Sequence, residues 1–330
     1  MKNPSSWIKS DLYSHLDHAI ALELWTIPLY LTALYSIKGL KDLDSKSQPE
    51  AANLIESVAI QEMLHLEIVC NICNALGHAP KFAPPNYDEK KGIPFIHPTK
   101  HVLPAEFIGY EVKPGALDEN TLKLFCAIEL PHPKKELIWD TEVSYQSISE
   151  MYEALKLGIS HLWDQCYVGN KKNTKQKISF KEYQERSGRH HGFSQLVNSS
   201  ASAVRAIDCI IEQGEGADSI HVPADFRPPH LEDGKEFEAG WFKGELSHYQ
   251  KFRILHHHHK KIPPVHQHEP TVESERAQEQ LESSFHGFLR MLEDGFNSEG
   301  PDMPSSFWHN MFALKKSIIE VWESGACPRF

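Results

Sequence analysis

Apolar residues recur at intervals of three and four positions along most of this 330-residue chain. This spacing places side chains on one face of an α-helix. The pattern therefore predicts an all-α fold built from eight amphipathic segments. In residue numbers these segments are about 11–38, 51–76, 118–130, 147–163, 199–213, 241–256, 274–296 and 304–323.

The connections between the predicted helices indicate how they are arranged. Residues 39–50 are rich in Asp, Ser and Lys and form a short turn, so the first two helices should make an antiparallel hairpin. Residues 77–115 are rich in Pro, Gly and Lys and lack a helical period, which predicts a long irregular crossover. We expect a four-helix core, formed by the helices that begin near Asp11, Ala51, Ser199 and Trp241.

The chain is expected to form a single domain over residues 1–330. Its bundle core should cover about 11–256, and a C-terminal helical extension should cover about 270–325. The two helices of the extension carry no acid–histidine pair in register. They should pack against the bundle, or against a second subunit of a homo-oligomer.

An acid and a histidine interrupt the apolar stripe of the second helix. Glu62 and His65 occupy the two places that the 3–4 spacing would give to apolar residues. Burying an unpaired charge costs several kcal/mol, whereas a metal ion would pair with both side chains. Glu62 and His65 are therefore candidate metal ligands. The apolar members of the stripe are Ile55, Val58, Val69, Ile72 and Leu76.

The same kind of interruption occurs on two other predicted helices. Glu23 takes the place between Ile20 and Ile27 on the first helix. Glu245 and His248 interrupt the stripe of the helix that should begin near Trp241, and they repeat the Glu-x-x-His spacing. One acid followed by Glu-x-x-His thus occurs twice, because a further acid lies at the end of the predicted helix over 199–213, and this repeat favours a metal site over a chance pattern.

The acid of the third helix has more than one candidate. Glu215 is preferred because the stripe of residues 199–213 leads to it and because two glycines flank it. Glu212 and Glu153 remain alternatives. Glu129, at the end of residues 118–130, is interpreted as a solvated acid or as one outside the ligand set. The stripe that leads to Glu215 consists of Ala201, Val204, Asp208 and Ile211.

Four carboxylates and two imidazoles suit iron or manganese better than zinc, bound as one ion or two. Such a centre can reduce dioxygen, which suggests an oxidase or oxygenase for a small aromatic or amino-acid-derived metabolite. A non-catalytic metal-binding or iron-handling protein is the alternative, and a structural bundle with a decayed site is a third interpretation. Aromatic residues near the predicted ligands are candidates to line a substrate pocket, although such residues are more often core. They are Trp25, Tyr30, Tyr152 and Trp241.

Composition narrows the class of partner. The chain has 34 basic and 45 acidic residues, a net charge of −11, and no basic stripe, so nucleic acid is not an expected partner. No apolar run approaches the roughly 18 residues of a membrane span, and residues 1–16 lack the apolar segment of a signal peptide. We therefore expect a cytoplasmic protein with no membrane partner. The six cysteines are expected to be free thiols.

Four segments resemble a known family. ALELWTIPLYLTALYSIK, SVAIQEMLHLEIVCNICNALGHAP, IEQGEGA and ELSHYQKF are similar to the ferritin-like domain of the iminophenylpyruvate dimer synthase type, which occurs in bis-indole pigment biosynthesis. The resemblance covers about residues 11–255. It implies a ferritin-like four-helix bundle with an iron-type carboxylate site. The metal ligands that it implies are Glu23, Glu62, His65, Glu215, Glu245 and His248.

The chain also departs from that family. The pigment enzymes carry this domain within a much longer chain, whereas this sequence has 330 residues and a long middle region rich in insertions. The resemblance therefore implies the metal site and leaves the substrate open.

Overall fold

A computed structural model describes residues 3–42, 47–87, 93, 96, 105–131, 145, 147–180, 194–214 and 246–330. In these residues the fold is all-helical, apart from two isolated bridges that join Ile37 to Val265 and Ile96 to Tyr145. The eight α-helices of the described residues are α1 (Lys9–Tyr35), α2 (Glu50–Ala75), α3 (Glu119–Ile128), α4 (Ile148–Cys166), α5 (Ser200–Gly214), α6 (His248–His257), α7 (Val272–Asn297) and α8 (Phe307–Glu323). The predicted all-α class is confirmed.

Helices α1 and α2 form the antiparallel hairpin that the sequence predicts, and they pack along most of their length. Helix α1 begins where the Asp11 side chain accepts a 2.7 Å hydrogen bond from the Ile8 backbone amide. It continues through Pro28 to Tyr35. Both helices bury residues on most of their circumference, so the hairpin lies at the centre of the fold.

Four shorter helices surround the two halves of this hairpin. Helix α4 packs on α1 and α5, and α6 packs on α2 and α3. Gly158 of α4 lies against Trp7, just before α1 begins. The rings of Phe125 in α3 and Phe252 in α6 instead pack on Tyr30, with centroids 4.7 and 5.0 Å from it. Helix α4 therefore covers the N-terminal half of α1 and packs in turn on α5, whereas α3 and α6 pack on the C-terminal half of α1.

This arrangement corrects the predicted bundle core. The helices that begin near residues 11, 51 and 199 pack together as expected, but α3 and α4 also belong to the bundle. Two bundle positions remain beside the α1–α2 hairpin. Helices α3 and α4 share one of them, and α5 and α6 share the other. The period of apolar residues identifies each short helix separately and contains no information on which pairs share a position.

The start of α6 also differs from the prediction. The helix begins at His248, because Ser247 is an extended N-cap whose hydroxyl accepts a hydrogen bond from the Gln250 backbone amide. The Gln250 side chain accepts a reciprocal 3.0 Å bond from the Ser247 backbone amide, which completes a capping box. Glu245 and Trp241 lie outside the described residues. The predicted start near Trp241 is therefore seven residues too early for the helix that carries His248.

The two C-terminal helices pack against the bundle, one of the two placements expected from the sequence. Helix α8 packs on α7 and α1. The Trp322 ring is buried, and its Nε1 donates a 3.0 Å hydrogen bond to the Thr32 carbonyl of α1. One continuous cluster of buried apolar side chains includes members of all eight helices. Among the described residues, no helix is both long and apolar enough to cross a membrane.

Candidate metal centre

Five acid and histidine side chains converge at the centre of the bundle. Glu23 lies on α1, Glu62 and His65 on α2, Glu129 at the C-terminal end of α3, and His248 at the first residue of α6. Each of them is at most 3% exposed. An isolated charge is rarely buried to this degree, so the cluster requires a compensating partner.

The five side chains form two triads that share one carboxylate. Glu23, Glu62 and His65 form the first triad, and Glu62, Glu129 and His248 form the second. Within each triad, the candidate ligand atoms lie within 4.8 Å of one another. Glu62 is therefore placed to serve two neighbouring metal positions.

The distances between ligand atoms differ in the two triads. His65 Nδ1 lies 3.5 Å from Glu23 Oε2 and 4.0 Å from Glu62 Oε1. His248 Nδ1 lies 2.8 Å from Glu62 Oε1 and 3.5 Å from Glu129 Oε1. The second triad is therefore the more compact. Both histidines direct Nδ1 towards the carboxylates.

Helix ends meet at the cluster. Glu129 closes α3, His248 opens α6, and Gly214 is the last residue of α5. A side chain at position 214 would crowd Glu129, because a Cβ atom there would lie 3.3 Å from Glu129 Oε2. A cavity of about 20 Å³ lies against the cluster, and the first residues of α4 line it as well. A space of this size holds a water molecule or a small ion.

A hydroxyl group orients each of the three carboxylates. Tyr152 donates to Glu23 Oε1. Thr26 donates a 2.7 Å bond to Glu62 Oε2, and Tyr30 donates a 2.6 Å bond to Glu129 Oε1. These bonds leave other carboxylate lone pairs directed into the cluster. Hydrogen bonds of this kind hold ligand side chains in place around a metal.

A glutamine amide orients each histidine. His65 Nε2 lies 2.9 Å from Gln213 Oε1, and His248 Nε2 lies 3.2 Å from Gln61 Oε1. The amide oxygens accept hydrogen bonds, so each ring donates from Nε2 and leaves Nδ1 for the cluster.

Three of the five clustered acid and histidine side chains have shifted pKa values. Burial and neighbouring charges contribute differently to each shift. Burial raises the pKa of Glu23 to about 7, although its bond from Tyr152 opposes this shift. Burial also lowers the pKa of His65. For His248, burial lowers the pKa, but the carboxylates of Glu129 and Glu62 outweigh this effect and raise the pKa to about 9. The cluster therefore attracts positive charge most strongly beside His248.

The donor set fits a metal ion. Three carboxylates and two imidazole nitrogens are ligands typical of iron and manganese. Among the described residues, His248 Nδ1 makes no hydrogen bond of acceptable geometry, although a carboxylate oxygen lies 2.8 Å away. A pKa of about 9 keeps a proton on the metal-free ring near neutral pH, and a metal ion that binds Nδ1 and this oxygen would displace that proton.

The structure brings together four of the six ligands predicted from the sequence, which are Glu23, Glu62, His65 and His248. Glu215 and Glu245 lie outside the described residues. Of the alternatives, Glu212 is exposed, and Glu153 pairs with Lys156 at 2.8 Å.

Glu129 is the residue that the sequence interpretation missed. It was expected to be solvated or outside the ligand set, yet it is 3% exposed and belongs to the second triad. A signal for it exists in the sequence. Leu122 and Phe125 are both fully buried, and Glu129 continues their stripe by three and four residues, as Glu62 continues the stripe of α2.

The buried stripe of α5 is displaced by one residue from the stripe that the sequence pattern predicts. Ala201 is exposed, and Asp208 pairs with Lys156 at 2.6 Å. Within the described residues the buried stripe thus ends on Gly214 and not on the predicted positions, while Glu215 itself lies outside them. The residues that α5 buries are Ser202, Ala203, Ala206, Ile207, Ile210 and Gly214.

The aromatic residues expected near the ligands have different positions. Tyr30 and Tyr152 contact the cluster through their hydroxyl groups. Trp25 is directed elsewhere, because its Nε1 donates a 3.2 Å bond to the carbonyl of Asn86. Trp241 lies outside the described residues.

Comparison with known proteins identifies the family. A family model described as Ferritin-like matches residues 16–257. The chain is also similar to a solved structure, a ferritin-like protein from Caulobacter vibrioides, with a TM-score of 0.75 and 29% sequence identity over 98% of this chain and 99% of that chain. No curated protein matches the chain. Since the family model spans well over half of the 330 residues, the chain belongs to the Ferritin-like family.

Proposed function

We propose that this protein is a metal-dependent oxidoreductase, with iron as the metal, that acts on a small aromatic or amino-acid-derived metabolite. The observation that supports this proposal is the pair of triads that share Glu62. When bound, iron would supply redox chemistry with dioxygen that protein side chains lack. The family membership supports a metal centre. Manganese is the second candidate, because it takes the same ligand types.

The residues of the chain hold and shield such a centre. Glu62 would serve both metal positions, while Glu23 with His65 and Glu129 with His248 would complete one position each. The phenol groups of Tyr152 and Tyr30 keep protons on the bonds to Glu23 and Glu129, because burial raises the pKa of both phenols well above the usual value. The site is therefore buried, and hydroxyl donors orient its carboxylates.

The proposed substrate class rests on the resemblance to the iminophenylpyruvate dimer synthase type, which we propose as the subtype of this chain. The metabolite would be aromatic or derived from an amino acid. The acidic balance of the chain supports a small-molecule partner rather than nucleic acid. We also propose a cytoplasmic location, which the six free cysteines support, and a homo-oligomer as the assembly.

One observation favours a second function, that of a non-catalytic metal-binding or iron-handling protein. The cavity at the cluster measures only about 20 Å³, which is room for an ion or a water molecule and not for a metabolite. Under this alternative the cluster would hold metal without converting a substrate.

The first experiment measures metal content in protein purified without added metal. We expect iron, and we expect Glu62→Ala and His65→Ala to lose most of it while retaining the circular dichroism of the parent. Glu212→Ala is the matched control, because this acid is exposed on a neighbouring helix. Zinc alone, no metal, or unchanged metal content in both ligand variants would overturn the proposed centre.

The second experiment separates the two functions. Metal-free protein is mixed anaerobically with Fe(II) and then exposed to dioxygen, alone and with L-tryptophan, L-phenylalanine or their 2-oxo acids. An oxidoreductase should consume dioxygen faster with at least one of these compounds and form an oxidised product. Iron binding with no compound-dependent consumption would instead support the iron-handling alternative.

A further inference from the structure

A buried lysine reaches the metal centre through one glutamine. The side-chain oxygen Oε1 of Gln61 lies 2.8 Å from Lys251 Nζ and 3.2 Å from His248 Nε2. Gln61, Lys251 and His248 are 2%, 3% and 0% exposed. One carbonyl oxygen has two lone pairs and can accept both bonds at once.

Lys251 determines which end of the Gln61 amide faces the histidine. An amide can usually be turned over with little change in shape, which exchanges its oxygen and nitrogen. An ammonium group has three donors and no acceptor, so the atom that faces Lys251 Nζ has to be the oxygen. The same oxygen faces His248, and His248 Nε2 therefore has to donate.

This requirement leaves Nδ1 as the nitrogen that His248 offers to a cation. Nδ1 lies 2.8 Å from Glu62 Oε1 and 3.5 Å from Glu129 Oε1. All three atoms can then present lone pairs to the same position. When a cation enters, the ring gives up any proton on Nδ1 but keeps Nε2–H and does not have to turn over, so this triad is pre-organised.

Within the described part of the chain, the other histidine has no equivalent arrangement. His65 Nε2 lies 2.9 Å from Gln213 Oε1. Among the described residues, the Gln213 side chain bonds to His65 alone, so no second donor fixes which end of its amide faces the ring. Gln213 is also the next-to-last residue of α5, whereas Gln61 lies within α2. The amide that faces His248 is therefore fixed by a second residue, whereas the amide that faces His65 is not.

We propose that Lys251 is a positioning residue that acts through Gln61 to hold His248 in the Nε2–H form, and that it makes the triad of Glu62, Glu129 and His248 the tighter of two metal positions. This inference rests on the proposed metal centre. Beyond that centre, it specifies which of the two positions binds metal more tightly and names Lys251 as the residue responsible.

The test is a calorimetric titration of metal-free protein with Mn²⁺ or Zn²⁺. We expect two binding steps in the parent. Lys251→Met should weaken the tighter step by about 10- to 100-fold, the range found when a partner of a ligating histidine is removed. Gln213→Leu should weaken only the other step. Lys260→Met, an exposed lysine near the same helix, is the control and should change neither step.

A spectroscopic measurement separates positioning from general damage to the fold. In Zn²⁺-loaded protein with ¹⁵N-labelled histidine, His248 should show a proton on Nε2 and coordination through Nδ1. Lys251→Met should reduce the population of this form. The double variant Lys251→Met with Gln61→Glu should restore it, because a carboxylate offers oxygen at both ends and cannot turn over.

The possible outcomes are distinct. Two unchanged steps in Lys251→Met, or a loss that the double variant does not restore, would overturn the role of Lys251. If Lys251→Met does not fold, Gln61→Leu removes the same acceptor and should give the same weakened step. A parent protein that binds no metal would overturn the proposed function together with this inference, whereas one that binds metal with equal affinities would overturn this inference alone.

Discussion

At the scale of single residues, burying the carboxylates and histidines of the cluster is unfavourable. Hydrogen bonds from hydroxyl groups and to glutamine amides offset part of this cost. Glu62 and His65 were predicted as ligands because they interrupt a long and regular stripe. Glu129 was missed because only one turn of apolar residues precedes it and Pro131 follows it closely. The same stripe argument would have identified it, since Leu122 and Phe125 are fully buried. A short helix gives a weaker pattern than a long one.

The pKa of Glu23 leads to a prediction for metal-free protein. Its folded pKa of about 7 lies above the ordinary value of 4.5, so between these values the folded state keeps a proton that the unfolded chain has released. The free energy of unfolding should therefore fall as the pH rises from about 5 to about 7. Urea denaturation at several pH values measures this slope. Glu23→Gln should flatten it, whereas Glu212→Gln should leave it unchanged; equal slopes in all three proteins would contradict the prediction.

His248 extends the same argument to higher pH. Its folded pKa of about 9 lies above the ordinary value of 6.5. The stabilisation from the protonated ring should be fully present below about pH 6.5 and should be lost as the pH rises through about 9. The denaturation series should therefore show a second decrease above neutral pH. That decrease should be absent in His248→Gln.

Gly158 allows a test of packing at one residue. A Cβ atom at this position would lie 2.1 Å from Cε3 of Trp7, so Gly158→Ala forces the buried indole to move. We expect a loss of about 1–3 kcal/mol, as for other overpacked cores. Gly287→Ala on α7 is the matched control, because nothing lies within 4 Å of its added carbon, and it should be neutral or slightly stabilising. Thermal melts of both variants decide between these outcomes.

At the scale of helices, length, burial and capping residues explain which helix boundaries and buried faces the hydrophobic pattern predicts. The bounds of α1 and α2 follow the pattern because both helices are long and are buried on most sides. The start of α6 was placed too early, since the apolar period of residues 241–256 continues past the true boundary. The Ser-x-x-Gln spacing of Ser247 and Gln250 contained the missing information. The stripe of α5 was displaced because small buried residues carry little hydrophobic signal.

The cap of α6 should matter for both stability and metal binding. Ser247→Ala removes the hydroxyl that accepts from the Gln250 amide, at a cost of about 0.5–2 kcal/mol. Because His248 is the first helical residue, we also expect weaker metal binding. Asp118→Ala removes the N-cap of α3 at the end remote from Glu129, so it should lower stability without changing metal affinity. Equal metal affinities in the two variants would show that the cap does not position His248.

At the scale of the whole molecule, the candidate site lies where separate segments of the chain meet. Glu23, Glu62 and His65 lie within the long continuous helices α1 and α2, and they join the cluster from the stripe positions at which the sequence pattern places them. Glu129 and His248 come from the ends of short helices that share bundle positions with α4 and α5. Which helix ends meet is a property of the tertiary fold, and a periodic pattern along one chain does not contain it. The sequence therefore predicted the hairpin half of the cluster more completely than the other half.

This arrangement predicts how metal loading should affect the stability of the whole chain. A metal ion held by α1, α2, α3 and α6 joins segments that are distant in sequence, and an ion that binds only the folded state stabilises it. At a free metal concentration about 1,000-fold above the dissociation constant, the gain is about 4 kcal/mol per site. We expect the melting temperature to rise by several degrees when metal-free protein is loaded with Mn²⁺ or anaerobic Fe(II).

Variants of the shared and unshared ligands should divide this increase unequally. Glu62 belongs to both triads, so Glu62→Ala should abolish the whole increase in melting temperature. Glu23→Ala and Glu129→Ala each disrupt one triad and should each retain part of it. Glu212→Ala, which alters an exposed acid, should show the full increase. Differential scanning calorimetry with and without metal, followed by chelation to reverse the shift, measures all four variants. If the three ligand variants lose the same fraction, Glu62 does not connect two metal positions and the cluster holds a single ion.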